Sequence, residues 1–238
     1  MRVSSVAIIK IGRDIGGFNL NELKVFTIKK NIHEDNAKVA QITRDEMKSQ
    51  GTYLINIMSS PGSGKTATLV STIKALKDEM QIGVMEADID SDVDAITVQN
   101  AGAKAIQLHT GGMCHLDATM TKQGIDELGT KELDLVFLEN IGNLICPAGY
   151  DTGAMKNVAI LSVPEGDDKP LKYPKIFCMA DVLIINKIDA IEHFDFKRDL
   201  LEERVRKLNK DINIFYISAK TGEGVKEWAD WIRQELKK

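Results

Sequence analysis

Ser59-Ser60-Pro61-Gly62-Ser63-Gly64-Lys65-Thr66 decides the fold. The stretch stands between an apolar run at 53–58 and a helical pattern of Leu69, Ile73, Leu76 and Met80, spaced by 4, 3 and 4 residues. A strand, a glycine-rich turn closing on Gly-Lys-Thr, and a helix opening at once are the context of a phosphate-binding loop. The glycines let backbone N–H groups fold close around phosphate oxygens, and the helix N-terminus adds partial positive charge. Gly62, Ser63, Gly64, Lys65, Thr66 and Ala67 are the expected nucleotide contacts. Lys65 would reach the β- and γ-phosphates and Thr66 would offer its hydroxyl to Mg²⁺. Ser59 stands where the motif usually begins with Gly.

Outward from this loop, further short apolar runs read as strands at 82–87, 133–139, 158–163, Val182–Asn186 and 212–217. They are continuous rather than alternating, as strands covered on both faces are. Helical patterns separate them: Phe196, Leu200, Val205 and Leu208, then Val225, Trp228, Ile232 and Leu236. The fold class is therefore α/β, a P-loop NTPase with a mostly parallel sheet and helices on both faces. Residues 1–50 are expected to form an N-terminal extension, with a possible edge strand at 23–28 and a helix at 33–50; residues 51–238 are the expected P-loop domain.

Composition narrows the function. Thirty-one Lys+Arg against 35 Asp+Glu give a net charge of −4, without the basic field of a nucleic-acid binder. Three cysteines cannot frame a disulfide scaffold and read as reduced thiols. No uncharged apolar run approaches the roughly 18–20 residues of a membrane helix. The first ten residues lack a secretory core. A cytoplasmic protein without membrane or nucleic-acid partners is expected.

A P-loop needs acids for its metal. Asp88 follows the second strand and Glu139 closes the third, with Gly142 near enough to sense a γ-phosphate. Lys65, Thr66, Asp88 and Glu139 are the catalytic candidates, Thr66 and Asp88 the Mg²⁺ ligands, and Asp90 or Asp92 the candidates for orienting water. Asn186-Lys187-Ile188-Asp189 ends the fifth strand. A carboxylate there accepts both N1–H and N2–H₂ of guanine, a donor pair that adenine lacks. Asn186 would tie this loop to the P-loop and Lys187 would lie along the base. Ser218-Ala219-Lys220 follows the sixth strand, with the Ala219 amide available to guanine O6. GTP and GDP are thus the expected nucleotides.

Cys114-His115 and Cys146 remain. On residue type alone, Cys114 and Cys146 are more often buried apolar thiols than ligands. On a turn or a helix start the adjacent Cys114 and His115 can face one point, and a helix opening at 114–115 would also lower the thiol pKa; such a set suits Ni²⁺ or Zn²⁺, with coordination completed by a second copy. Cys178 reads as core; His33, His109 and His193 have no ligand-spaced partners.

Four stretches together resemble the HypB family: the P-loop, Gly111-Gly112-Met113-Cys114-His115-Leu116-Asp117, Glu139-Asn140-Ile141-Gly142-Asn143-Leu144-Ile145-Cys146-Pro147 and Pro164-Glu165-Gly166-Asp167-Asp168-Lys169. The resemblance implies a SIMIBI-class GTPase that forms a homodimer with GTP and assists nickel insertion into [NiFe]-hydrogenase. It implies metal binding through Cys114, His115 and Cys146, with the nickel chaperone HypA and the hydrogenase large subunit as partners. No Cys precedes Cys114 and one His precedes His109, so a separate N-terminal nickel site or storage stretch is not expected. The rival readings are a nickel GTPase serving another enzyme such as urease, though the Cys-Pro-His element of that cousin is absent, a P-loop nucleotide enzyme with structural cysteines, and a metal scaffold with a vestigial nucleotide site.

Overall fold

A computed structural model of the chain describes residues 7–9, 23–27, 36–88 and 93–238, with side chains from 36–87 and 93–238. Nine strands form one sheet: β1 (Ala7–Ile9), β2 (Leu23–Thr27), β3 (Tyr53–Ser59), β4 (Ile82–Asp88), β5 (Lys104–His109), β6 (Leu135–Glu139), β7 (Lys156–Ser162), β8 (Val182–Asn186) and β9 (Asn213–Tyr216). Their spatial order is β1-β2-β5-β4-β6-β3-β7-β8-β9. Every neighbouring pair is parallel except β1 with β2. The strand expected at 23–28 thus lies inside the sheet, paired to β5, with β1 as the edge.

Among the described residues eight α-helices connect the strands: α1 (Asn36–Gln50), α2 (Lys65–Leu76), α3 (Val93–Ala101), α4 (Ala118–Leu128), α5 (Lys169–Lys172), α6 (Pro174–Met179), α7 (Arg198–Leu208) and α8 (Val225–Glu235). The helix expected from residue 33 is described from Asn36; residues 33–35 lie outside the described residues.

Because side chains alternate across a strand, each strand feeds two cores. One face gathers Ile55, Ile57, Val84, Phe137, Ile160 and Ile184 beneath Leu69 and Ile73 of α2 and Trp228 and Ile232 of α8. Trp228 Nε1 donates to Thr72 Oγ1 at 3.0 Å, satisfying an indole that is 1% exposed. The other face packs Leu54, Met85 and Leu138 against Met47 of α1 and Met120 and Ile125 of α4, while Leu183 and Ile185 meet Phe177 of α6 and Leu201 of α7. Burial on both faces is why β6 and β8 read as unbroken apolar runs.

The run at 133–139 pairs only from Leu135, since a turn in which Leu133 N donates to Thr130 O precedes it. β5, α3, α4, α5 and α6 were not among the elements expected from the sequence. β5 escapes because Gln107 and His109 interrupt its apolar residues. Among the described residues no helix is long and apolar enough to cross a membrane.

Candidate functional site

The parallel strands bring their C-terminal ends to one edge, where loops from β3, β5, β6 and β8 meet. The P-loop is folded there around its glycines. Gly64 has φ +94°, and a Cβ on it would lie 2.4 Å from Asn186 Nδ2. Only glycine both adopts that backbone and leaves room for the asparagine. Ser63 Oγ donates to Ser59 Oγ at 2.6 Å, and Lys65 Nζ to the same oxygen at 3.2 Å. The serine in the place of the usual first glycine is therefore a buried anchor for the lysine. Ala67, at the start of α2, lines the same cavity.

Asn186 joins the phosphate loop to the two loops assigned to the base. Its Nδ2 donates to Ser63 O at 3.0 Å, while its Oδ1 accepts from Lys187 N at 2.8 Å and Ala219 N at 3.1 Å. Lys187 is the one non-glycine residue with positive φ among the described residues, at 63°, and its Nζ donates to Gly62 O at 2.6 Å. Such a conformation costs roughly 1–3 kcal/mol and persists only where surrounding bonds hold it. Asp189 Oδ1 accepts from Ser218 Oγ at 2.6 Å, and Ser218 Oγ in turn accepts from Thr221 N at 3.1 Å. The Asp189 carboxylate is exposed and fixed by one oxygen; Lys220 is exposed beside it in sequence. The Ala219 N–H, expected to meet guanine O6, is engaged by Asn186.

A cavity of about 400 Å³ runs from Pro61, Gly62, Gly64, Lys65 and Thr66 toward Glu86, Gln107 and Glu139. Glu139 Oε1 accepts from Thr66 Oγ1 at 3.4 Å and lies 3.9 Å from Lys65 Nζ. Burial is the main cause that pushes the Glu139 carboxyl up to about 7, against the opposing charge of Lys65. Glu86, its neighbour in the sheet register, is pushed well above the ordinary glutamate range, first by burial and then by the Glu139 charge. The two carboxyls hydrogen-bond one another, so the pair favours holding a proton. Gly142 stands against the P-loop: a Cβ there would be 3.1–3.3 Å from Pro61. Ser60 Oγ donates to Glu165, which also accepts from Ser162 N and Ser162 Oγ, tying the segment after β7 to the phosphate loop.

Asp88 ends β4, but its side chain, like Asp90 and Asp92, lies outside the described residues. Glu86 and Gln107 are cavity residues that the sequence reading passed over. The signal was a Glu and a Gln inside otherwise apolar strands, on the same alternating face as Val84 and Ala105.

The thiols stand on the loops that follow β5 and β6. Cys114 is exposed and Cys146 half-buried, so neither is the buried apolar thiol that residue type favours. Their thiols hydrogen-bond one another, which raises the Cys114 pKa. Of the turn or helix start that would let Cys114 and His115 face one point, the structure has the turn and not the helix start: α4 begins at Ala118, capped by Asp117, whose carboxylate accepts from Met120 N at 3.0 Å. Cys114 Sγ also lies 3.8 Å from His115 Nδ1. The His115 ring stacks on Tyr150 with centroids 3.6 Å apart and planes at 10°. With the ring held this way, the three side chains do not converge: among the described residues no group of three or more His, Cys, Asp and Glu is disposed to hold a metal. Cys178, expected in the core, is exposed, because Ile176 and Phe177 supply the buried face of α6 and the next residue turns outward. Nε2 of His109, at the end of β5, is buried with no hydrogen-bond partner.

Residues 53–216 match the CobW/HypB/UreG nucleotide-binding domain. Hydrogenase maturation factor HypB of Rhizobium leguminosarum bv. viciae is 40% identical over 213 residues, covering 90% of this chain and 71% of that protein. The chain belongs to the HypB family. Two solved structures agree. HypB from Helicobacter pylori in complex with nickel is 37% identical, with a TM-score of 0.80, and the alignment covers 85% of this chain and 95% of that one. HypB from Archaeoglobus fulgidus is 37% identical, with a TM-score of 0.79 over 84% and 98% of the two chains. The P-loop fold and a nucleotide-binding domain of a GTPase family are therefore shared with proteins similar along most of their length.

Proposed function

We propose that this chain hydrolyses GTP to govern the delivery of nickel during hydrogenase maturation. One observation carries the reading. β5 and β6 each set a polar residue into the nucleotide cavity, Gln107 and Glu139, and each then runs into a loop whose cysteine meets the other's. A change at the phosphates is transmitted to both thiols through two short lengths of chain. The HypB name of its relatives and the nickel in the Helicobacter pylori structure support the cargo.

The roles follow from the site. P-loop amides and Lys65 bind the phosphates, and incoming phosphate competes with Ser59 and Glu139 for the lysine. Asp189, held by Ser218, accepts from guanine N1–H and N2–H₂. Hard oxygen donors at Thr66 and Glu139, with a Glu139 Oε2 that has no hydrogen-bond partner, fit Mg²⁺, and Asp88 is the third candidate. Bound there, the ion would neutralise charge on the transferring phosphate. Cys114, Cys146 and His115 offer soft donors to Ni²⁺ or Zn²⁺ as cargo. Rotation of His115 off Tyr150, or donors from a second copy, would complete the set, consistent with a homodimer formed with GTP. HypA as nickel donor, the hydrogenase large subunit as recipient and a cytoplasmic setting complete the proposal.

The test is to titrate Ni²⁺ into the GDP-bound and GTP-analogue-bound protein while measuring oligomer mass. Linkage requires that a nucleotide-dependent nickel affinity be matched by a nickel-dependent nucleotide affinity. Distinct nickel affinities in the two states are expected. Equal affinity and stoichiometry in both would overturn the coupling, and a preference for ATP over GTP would overturn the guanine assignment.

A further inference from the structure

Gln107 is 0% exposed, yet neither its Oε1 nor its Nε2 has a hydrogen-bond partner among the described residues. A buried amide with both ends unsatisfied is rare in folded proteins and destabilising, and it marks a place where a ligand or water is handled. Gln107 lies on β5 directly beside Glu86 on β4, and Glu86 directly beside Glu139 on β6. The three side chains share the face of the sheet that α2 and α3 cover, and all three line the phosphate cavity. Glu139 Oε1 is engaged by Thr66 and lies near Lys65, while Glu139 Oε2 and Glu86 Oε1 have no hydrogen-bond partner among the described residues. Lys65 and Thr66, which would meet the γ-phosphate, line this cavity together with Gln107 and Glu86, so a water held by Gln107 would share the cavity with the phosphate.

Resting on the GTPase reading, we propose that Gln107, with Glu86 beside it, holds and orients the water that attacks the γ-phosphate. The amide oxygen of Gln107 accepts one water hydrogen and so aims a lone pair at phosphorus, a task glutamine performs in other P-loop enzymes. The water oxygen forms a bond to the γ-phosphorus as the bond from that phosphorus to the β,γ-bridging oxygen breaks. GDP leaves with the bond's electron pair, and the proton released by the water departs with inorganic phosphate. Glutamine neither gains nor loses a proton in this scheme, so its contribution is orientation.

The experiment uses the full chain with Mg²⁺ and compares wild type with Gln107→Leu and Gln107→Asn. It measures single-turnover GTP hydrolysis, GDP and GTP-analogue affinity, and melting temperature. Gln107→Leu is expected to slow hydrolysis on the order of 10²-fold. Nucleotide affinities should stay within about threefold and melting should be unchanged or raised, because an unsatisfied amide has been removed. Gln107→Asn, which withdraws the amide by one methylene, should fall between them, and it decides the matter should the leucine variant fail to fold. Unchanged hydrolysis in the folded variants would overturn the proposal, as would a loss of analogue affinity as large as the loss of rate. A wild-type protein that binds no GTP would overturn the underlying GTPase reading instead, and that failure is visible before any variant is made.

Discussion

Replacing Asn186 by alanine should loosen both halves of the nucleotide site at once. The side chain is 2% exposed and makes three shorter hydrogen bonds, one from Nδ2 to Ser63 O and two accepted by Oδ1 from Lys187 N and Ala219 N, with a fourth from Nδ2 to Gly64 O at 3.5 Å. A net contribution of about 1 kcal/mol per bond gives roughly 3 kcal/mol, rising to about 5 if the orphaned amides of Lys187 and Ala219 stay out of reach of water. Lys187 sits at φ 63°, so the loss of the Asn186 acceptor also removes one restraint on a strained backbone. Part of the energy will appear in unfolding and part as weaker GTP binding, since the bonds hold the bound geometry in advance. Urea unfolding and calorimetric titration of a GTP analogue on the same samples measure the two parts. Asn186→Asp separates them further: it keeps both acceptors, loses the donor to Ser63 O and sets a negative charge against that carbonyl. It should retain more stability than Asn186→Ala while still binding nucleotide more weakly than wild type. An Asn186→Ala protein within about 0.5 kcal/mol of wild type in stability, with unchanged analogue affinity, would refute the idea that this residue fastens the two halves together.

Glu139 is raised from 4.5 to about 7 in the folded chain, so the fold holds a proton that the unfolded chain has already released. That contribution is fully present below about pH 4.5 and disappears as pH rises through 7; a displacement of this size corresponds to about 3 kcal/mol. Urea unfolding without nucleotide between pH 5 and 8.5 should show the decline and Glu139→Gln should flatten it, whereas a wild-type profile that does not fall with pH speaks against the buried pair. Gly64→Ala places a Cβ 2.4 Å from Asn186 Nδ2 on a backbone at φ +94° and should weaken GTP-analogue binding by roughly 1–3 kcal/mol; unaltered affinity by calorimetry would contradict the close approach. Cys114→Ser and Cys146→Ser should each lower Ni²⁺ stoichiometry or affinity, while Cys178→Ser, exposed on α6, should leave metal binding intact and stability within about 0.5 kcal/mol. Metal analysis of all three proteins checks this, and equal loss in the Cys178 variant would argue for nonspecific thiol binding.

The nucleotide site was legible because each of its parts is local. Gly62 through Thr66 must stand at one strand-to-helix turn, Asn186 to Asp189 at another strand end and Ser218 to Lys220 at a third, and each carries its chemistry within a few residues. The thiol site was less legible because its geometry depends on contacts between segments. The Cys114 thiol pKa is raised by its hydrogen bond to Cys146, 32 positions away, while α4 begins only after Asp117. Whether His115 can join the thiols turns on Tyr150, 35 positions away, which takes its ring face. Cys178 read as core from its apolar neighbours, but a helix buries only one stripe, and Ile176 and Phe177 already fill it.

What no single stretch reveals is the row formed by Gln107, Glu86 and Glu139. It exists because β4 lies between β5 and β6, an order unlike the order of the chain. In a sequence, Gln107 only spoils an apolar run and conceals a strand. In the sheet, the same residue faces the phosphate cavity on a strand that leads within seven residues to Cys114, just as Glu139 leads within seven to Cys146. Parallel strands make that symmetry useful. The parallel strands point their C-terminal ends toward the phosphate loop, so residues one step back along β5, β4 and β6 line its cavity, and the loops after β5 and β6 bring the two thiols together. A polar interruption that weakens a strand in isolation is thereby placed where a reaction at phosphate can be felt by both cysteine loops at once. In the proposed cycle, sensing and metal handling would need no separate messenger between them, since the same two strands lead to both.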